Sequence, residues 1–193
     1  MADFTIRTYG DPVLRTPGET VREFGPALRS LGDAMLAAMR KAKGIGLAAP
    51  QVGLGLQLFV ADVHDEDYLP ILDGKVVVAD QIMPMLFANA VITVPAGEAE
   101  IYTEGCLSFP GITGDVPRVE QAIVRFRDVE GAPHTLECAG LLARCVQHEH
   151  DHCQGVLFID RMTRAHQLLT ATKVKKLQRA TAAELKAARK KAP

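Results

Sequence analysis

The run Gln147-His148-Glu149-His150-Asp151-His152 constrains this chain more than any other stretch. On a helix, positions four apart share a face, so His148 and His152 can present two imidazole nitrogens to one ion, with Glu149 beside any water bound there. A structural zinc site is closed by four protein ligands, whereas His-Glu-x-x-His leaves room for a water that the carboxylate can deprotonate, which points to hydrolysis. The competing reading is a chance histidine-rich turn with solvated acids between the rings. The setting decides between them: residues 139–146 before the run and Gly155-Val156-Leu157-Phe158-Ile159 after it read as a buried helix leading into an apolar stretch. Histidines on such a helix need polar partners or a metal. His150, two positions from His148, points elsewhere.

At 193 residues the chain suits a single domain that buries about 70% of the surface its unfolded form exposes. A net charge of −1 and 48% hydrophobic residues describe a globular protein, not a disordered chain or one that coats DNA. No apolar run approaches the length that spans a bilayer. The first residues lack a signal peptide's apolar core, so the expected location is the cytoplasm. There Cys106, Cys138, Cys145 and Cys153 are expected as thiols, each a ligand, a nucleophile or a small buried hydrophobe according to its neighbours.

Taken in order, Gly10 to Pro17 is turn-rich, and its prolines predict an extended arm on the surface. Leu28, Leu31, Met35 and Met39 recur at helical spacing, which predicts a helix over 26–43 with Gly44 as its stop. Gly44-Ile45-Gly46-Leu47-Ala48-Ala49-Pro50-Gln51 is either a plain helix-to-strand connection or a place where the missing Cβ atoms allow close approach. Residues 56–63 read as a strand, 64–68 as an acidic loop, and 76–78 and 90–94 as short strands, with Asn89 placed to begin a turn and 83–87 ambiguous. Glu104-Gly105-Cys106-Leu107-Ser108 holds a cysteine among turn-forming residues. Residues 121–129 and 134–138 form a hairpin around Glu130-Gly131. From Arg164 onward the absence of glycine and the wealth of Ala, Leu, Lys and Gln predict one long helix. Residues 170–193 carry eight bases against Glu184 alone, a charge of +7 that leaves the rest near −8. Such asymmetry is either solvation, with Leu168, Leu169, Val174, Leu177 and Leu185 packing on the domain, or a docking element for a polyanion.

The stretches 44–51, 104–108 and 147–152 resemble, in order and spacing, the three motifs of peptide deformylases. The likeness extends to Asp11-Pro12-Val13-Leu14-Arg15, Val116-Pro117-Arg118 and Gly155-Val156-Leu157-Phe158, and so covers most of residues 10–161. It implies an α+β fold, with antiparallel β-sheets around a central metal-binding α-helix and a long C-terminal helix. It divides the chain into a catalytic unit at 1–162 and a basic helix of the same domain at 163–193. The implied activity is removal of the formyl group from N-formylmethionine of newly made polypeptides. Cys106 is implied as the third metal ligand with His148 and His152, and Glu149 as the general base and acid for a metal-activated water. Gln51 and the Leu107 backbone N–H are implied as donors to the developing carbonyl charge. The resemblance places Ile45, Gly46, Glu104, Gly105 and Cys145 against the substrate, with Asp151 as outer support and Arg118 as a partner for Glu104.

The family commonly works with ferrous iron, and nickel or cobalt can substitute. By general affinity zinc should bind a Cys-His-His set more tightly than iron. The expectation is one divalent ion per chain, Fe2+ first, with zinc after handling in air. The resemblance also suggests that the basic helix docks on ribosomal RNA near the nascent-chain exit, projecting clear of the active site. Two departures stand out. Asn89-Ala90 replaces the family's Asn-Pro and should loosen only a turn, and Cys153 replaces its Leu and should fill a core site. A zinc endopeptidase shares His-Glu-x-x-His but takes its third ligand downstream, where no matching residue follows His152. A structural metal module that binds peptide N-termini leaves Glu149 and Gln51 without a purpose.

Overall fold

In the computed structural model of the chain, residues 4–65 and 67–191 are described. A short 3-10 turn at Pro12–Arg15 precedes helix α1 (Pro26–Lys41), strand β1 (Gly46–Ala48), a second 3-10 turn (Ala49–Val52) and strand β2 (Leu58–Ala61). Strands β3 (Ile71–Leu72) and β4 (Lys75–Val76), helix α2 (Ala79–Ile82) and strands β5 (Met85–Thr93), β6 (Ala99–Gly105), β7 (Thr113–Val119), β8 (Gln121–Arg127) and β9 (Pro133–Ala139) follow. Helices α3 (Gly140–Cys153), α4 (Phe158–Arg161) and α5 (Arg164–Lys191) end the chain.

A seven-stranded sheet runs β1-β2-β5-β8-β9-β3-β4, and β6 pairs β7 in a separate two-stranded sheet. All these strand pairs are antiparallel. The α+β architecture expected from the sequence is therefore present, with α3 packed between the sheets. Period-two alternation explains how one sheet serves two cores. In β2, Phe59 and Ala61 face the cluster that contains Leu142, Ala143 and Val146 of α3. Leu58 and Val60 face the opposite cluster, which contains Leu28, Met35 and Met39 of α1. Rings of Phe59 and Phe87 stack at 4.7 Å beneath α3. A third cluster joins Val116, Phe109 and Phe158 to Val174 and Leu177 of α5.

Several local expectations need correction. The proline-rich opening is not an extended surface arm: Asp11 accepts from the Val13 N–H at 3.1 Å and caps a 3-10 turn whose Leu14 is wholly buried. Helix α1 ends at Lys41, and the left-handed residue after it is Lys43, with φ 59°. Gly44 instead lies where a Cβ would come within 2.7 Å of Leu107. The ambiguous 83–87 stretch supplies the start of β5, and Asn89 begins no turn. It sits at φ 53° inside β5, at a register shift between Ala88 and Val91. Its amide exchanges two hydrogen bonds with the Val21 backbone, at 2.8 and 2.9 Å. The strand read at 76–78 shrinks to Lys75–Val76. Helix α5 forms as expected, but Leu168 and Leu169 are exposed rather than packed. Among the described residues, no helix is long and apolar enough to cross a membrane.

Candidate metal centre and active site

Helix α3 starts at Gly140, whose positive φ of 58° turns the chain sharply out of β9. The Asp65 carboxylate accepts from the Leu141 N–H at 3.0 Å, satisfying one of the donors a helix start leaves open. Three turns on, α3 brings the His148 and His152 rings to 5.1 Å between centroids. Cys106, in the loop after β6, places Sγ 3.2 Å from His152 Nε2. One candidate ligand atom from each of Cys106, His148 and His152 lies within 4.8 Å of the others.

The donor set fits a divalent transition metal of intermediate softness, since a thiolate and two imidazoles suit iron and zinc alike. Burial holds the His152 imidazole well below its usual pKa, so it stays neutral with a lone pair to give. His148 is fixed from behind: Glu104 Oε2 lies 2.9 Å from Nδ1, which leaves Nε2 as the free ring atom. Glu149 is buried beside this cluster, and among the described residues its Oε2 has no hydrogen-bond partner. A buried carboxylate oxygen left unpaired is costly, so the site is built for something that donates a proton there. Burial pushes the Glu149 carboxyl up to about 7.

Gln51 is held in one orientation. The Ala48 N–H donates to its Oε1 at 2.8 Å, so Nε2 must face Cys106 Sγ at 3.5 Å and Ser108 Oγ at 3.3 Å. Gly46 lies so close to α3 that a Cβ would meet Glu149 Oε1 at 2.6 Å and Cys145 Sγ at 2.8 Å. That approach, not a mere connection, is what the glycine permits. Of the residues expected at the site from the sequence, Ile45, Gly46, Gln51, Glu104, Gly105, Cys106, Leu107, Cys145, His148 and Glu149 line one cavity of 660 Å³, and His152 stands behind it.

Glu104 does more than line the pocket. Besides His148 it accepts from Arg118 Nε at 2.7 Å and Nη2 at 3.1 Å, and from Arg144 Nη1 at 3.0 Å. Asp151 accepts from Arg118 at 2.9 Å and from Arg161 at 2.6 Å, which places it behind the Cys106–His148–His152 cluster. Sequence reasoning missed Arg144, Ser108 and Tyr102. Arg144 had one signal, a charge inside an otherwise apolar run, Leu141-Leu142-Ala143 before it and Cys145-Val146 after it. The other cysteines are inert by environment: burial pushes the Cys138 and Cys153 thiols up to about 12 and Cys145 well above its usual value. Cys153 fills a core site, 1% exposed.

Comparison with known proteins adds an independent line. The sequence pattern described as polypeptide deformylase matches residues 4–168. A peptide deformylase of Opitutus terrae is 50% identical over 182 residues, which span 92% of this chain and 94% of that protein. The crystal structure of a peptide deformylase from Thermus thermophilus superposes with a TM-score of 0.77 at 37% identity, covering 92% of this chain and 99% of that one. An inhibitor complex of peptide deformylase 1B from Arabidopsis thaliana gives a TM-score of 0.80 at 35% identity, covering 93% and 92%.

Proposed function

The chain belongs to the polypeptide deformylase family, and from that premise we propose that it removes the formyl group from polypeptides that begin with N-formylmethionine. The observation that carries this reading is Glu149: a buried carboxylate with one unpartnered oxygen, beside Cys106, His148 and His152 at the floor of a cavity large enough for a methionyl end. Cys106, His148 and His152 would hold one divalent ion, ferrous iron first with zinc, nickel or cobalt as substitutes. Such an ion supplies the Lewis acidity that lets a water give up a proton near neutral pH.

The chain's own residues then divide the work. Glu149 Oε2 takes the proton from the water that attacks the formyl carbon and returns it to the amine nitrogen as the C–N bond breaks, releasing formate and the free N-terminus. Its raised pKa suits both directions of that transfer. Gln51 Nε2, aimed by the Ala48 N–H, and the Leu107 backbone N–H would donate to the carbonyl oxygen as its charge grows. Ile45, Gly46 and Gly105 would hold the peptide backbone. Glu104 and Cys145 would bound the methionine side chain, the high-pKa Cys145 thiol acting as an apolar wall.

The same reading treats residues 1–162 as the catalytic unit and 163–193 as a helix of the same domain, supported by the packing of Val174 and Leu177 on the third core cluster. It puts the protein in the cytoplasm, with formylated nascent peptides as substrate and ribosomal RNA as the surface on which α5 docks. Glu149→Ala tests the core of it. Metal content should match the parent protein while turnover of a formyl-Met peptide falls at least about a thousandfold, within the range general acid–base catalysis supplies. Near-parental turnover in the metal-loaded variant would remove Glu149 from the mechanism, and cleavage of an unformylated internal peptide bond would point to an endopeptidase.

A further inference from the structure

Resting on the reading just given, we infer that Arg144 is a specificity-determining residue, the strut that sets the width of the substrate side-chain pocket. The residue is 8% exposed and lies on α3, one turn before His148, yet all of its partners among the described residues belong to the two-stranded sheet across the cavity. Nη1 donates to Glu104 Oε1 and to the Val116 carbonyl, both at 3.0 Å, and Nη2 donates to the Glu100 carbonyl at 3.0 Å. The guanidinium also lies 5.4 Å from the ring centroid of Tyr102, itself on the cavity lining and 60% exposed. One side chain therefore ties α3 to both β6 and β7 and holds an aromatic ring against the cavity.

The arrangement is directional in its chemistry. A planar fork with several fixed donors holds two backbone carbonyls and a carboxylate at set spacings, which a single ammonium cannot do. Tyr102 faces solvent on one side and the guanidinium on the other, so its position depends on that cation–π contact. With the strut in place, the wall of β6 stays close to α3, and the gap between them admits an unbranched, flexible side chain such as methionine. Without it, no other described residue that α3 carries along that face bonds to the Glu100 or Val116 carbonyls, and the gap widens. The substrate class selected is thus a formyl peptide with a slender apolar first residue over one with an aromatic first residue.

The test compares kcat/KM for formyl-Met and formyl-Phe peptides in metal-loaded enzyme. Arg144→Met, similar in length but without donors, should lower the Met-to-Phe ratio by about tenfold, the scale on which apolar pockets discriminate by shape. The loss on the methionyl peptide should fall mainly on KM, because the proton-transfer groups are untouched. Arg144→Lys, which keeps the charge but not the fork, should fall between parent and Met variant. Tyr102→Leu, at a position 60% exposed, should shift the ratio the same way by about two- to fivefold, the range of an exposed cation–π contact. A Met-to-Phe ratio equal to the parent's in Tyr102→Leu and in whichever Arg144 variants fold would overturn the inference. Failure of the parent enzyme to release formate from either peptide would instead overturn the proposed function, so the two outcomes are separable.

Discussion

Glu104 is 7% exposed and touches His148, Arg118 and Arg144 through two oxygens. Burial alone would raise its pKa, but hydrogen bonds from His148 and Arg118 outweigh that penalty and hold it at about 2. The carboxylate is therefore charged at any working pH, and it keeps the His148 Nδ1 as a donor, which leaves Nε2 free for the proposed metal. Glu104→Gln retains the shape and loses the charge. Metal affinity should fall about ten- to a hundredfold, the usual cost of removing an outer partner of a ligating histidine; equal affinity in a chelator competition would deny Glu104 that role. At this scale the sequence was most legible where spacing is local. His148, Glu149 and His152 sit on one helix and declare themselves, whereas no local pattern shows that residue 104 reaches residue 148, or that Arg144 turns inward.

Elements whose register is set by their own alternation were readable: the β8–β9 hairpin pairs Gln121 with Ala139 through Arg127 with Pro133, as its apolar spacing demands. Elements set by distant partners were not. Asn89 reads as a turn residue because its side chain can bond a backbone locally, but here it bonds Val21 and leaves β5 unbroken. The turn between β3 and β4 depends on another distant pair, His134 of β9 with Asp73, at 2.7 Å. The hydrogen bond to Asp73 raises the His134 pKa above its usual value near 6.5, with Asp128 adding to it. Stability from this pair is thus fully present below that usual value and is lost as pH rises through the higher folded one. Since the ring is 27% exposed, the contribution is at most about 1 kcal/mol. Urea midpoints from pH 6 to 9 should fall more steeply in the parent than in His134→Gln, and parallel curves would count against the pair.

Across the whole molecule, the +7 charge of residues 170–191 is carried on a helix whose Lys173, Lys175, Lys176, Arg179 and Lys186 are all exposed. On the proposed docking of α5 on ribosomal RNA, replacing Lys175, Lys176, Arg179 and Lys186 with Glu should weaken that binding most at low salt and flatten its salt dependence, by about one unit of slope for each phosphate no longer neutralised. Unchanged affinity at low salt would argue for simple solvation. Truncating α5 is a poorer probe, because the helix, though none of its described residues lines the cavity, is tied to the first part of the chain. The Thr181 hydroxyl bonds that of Thr8 at 2.8 Å across 173 positions, and a Cβ on Gly10 would meet the Gln178 carbonyl at 2.7 Å. On either side of Thr8, the Arg7 N–H donates to the Gln51 carbonyl at 2.7 Å and the Tyr9 N–H to the Ser108 carbonyl at 2.9 Å. The first residues thus lace together the two loops that carry Gln51 and Cys106, and the last helix ties the lace. Seen through hydrogen exchange, this makes the amino-terminal arm and the later turns of α5 one cooperative opening unit. The amides of Arg7, Tyr9 and Gln178 should then exchange with a common free energy, and Thr181→Val should speed all three together; unrelated rates would show that the arm opens by itself.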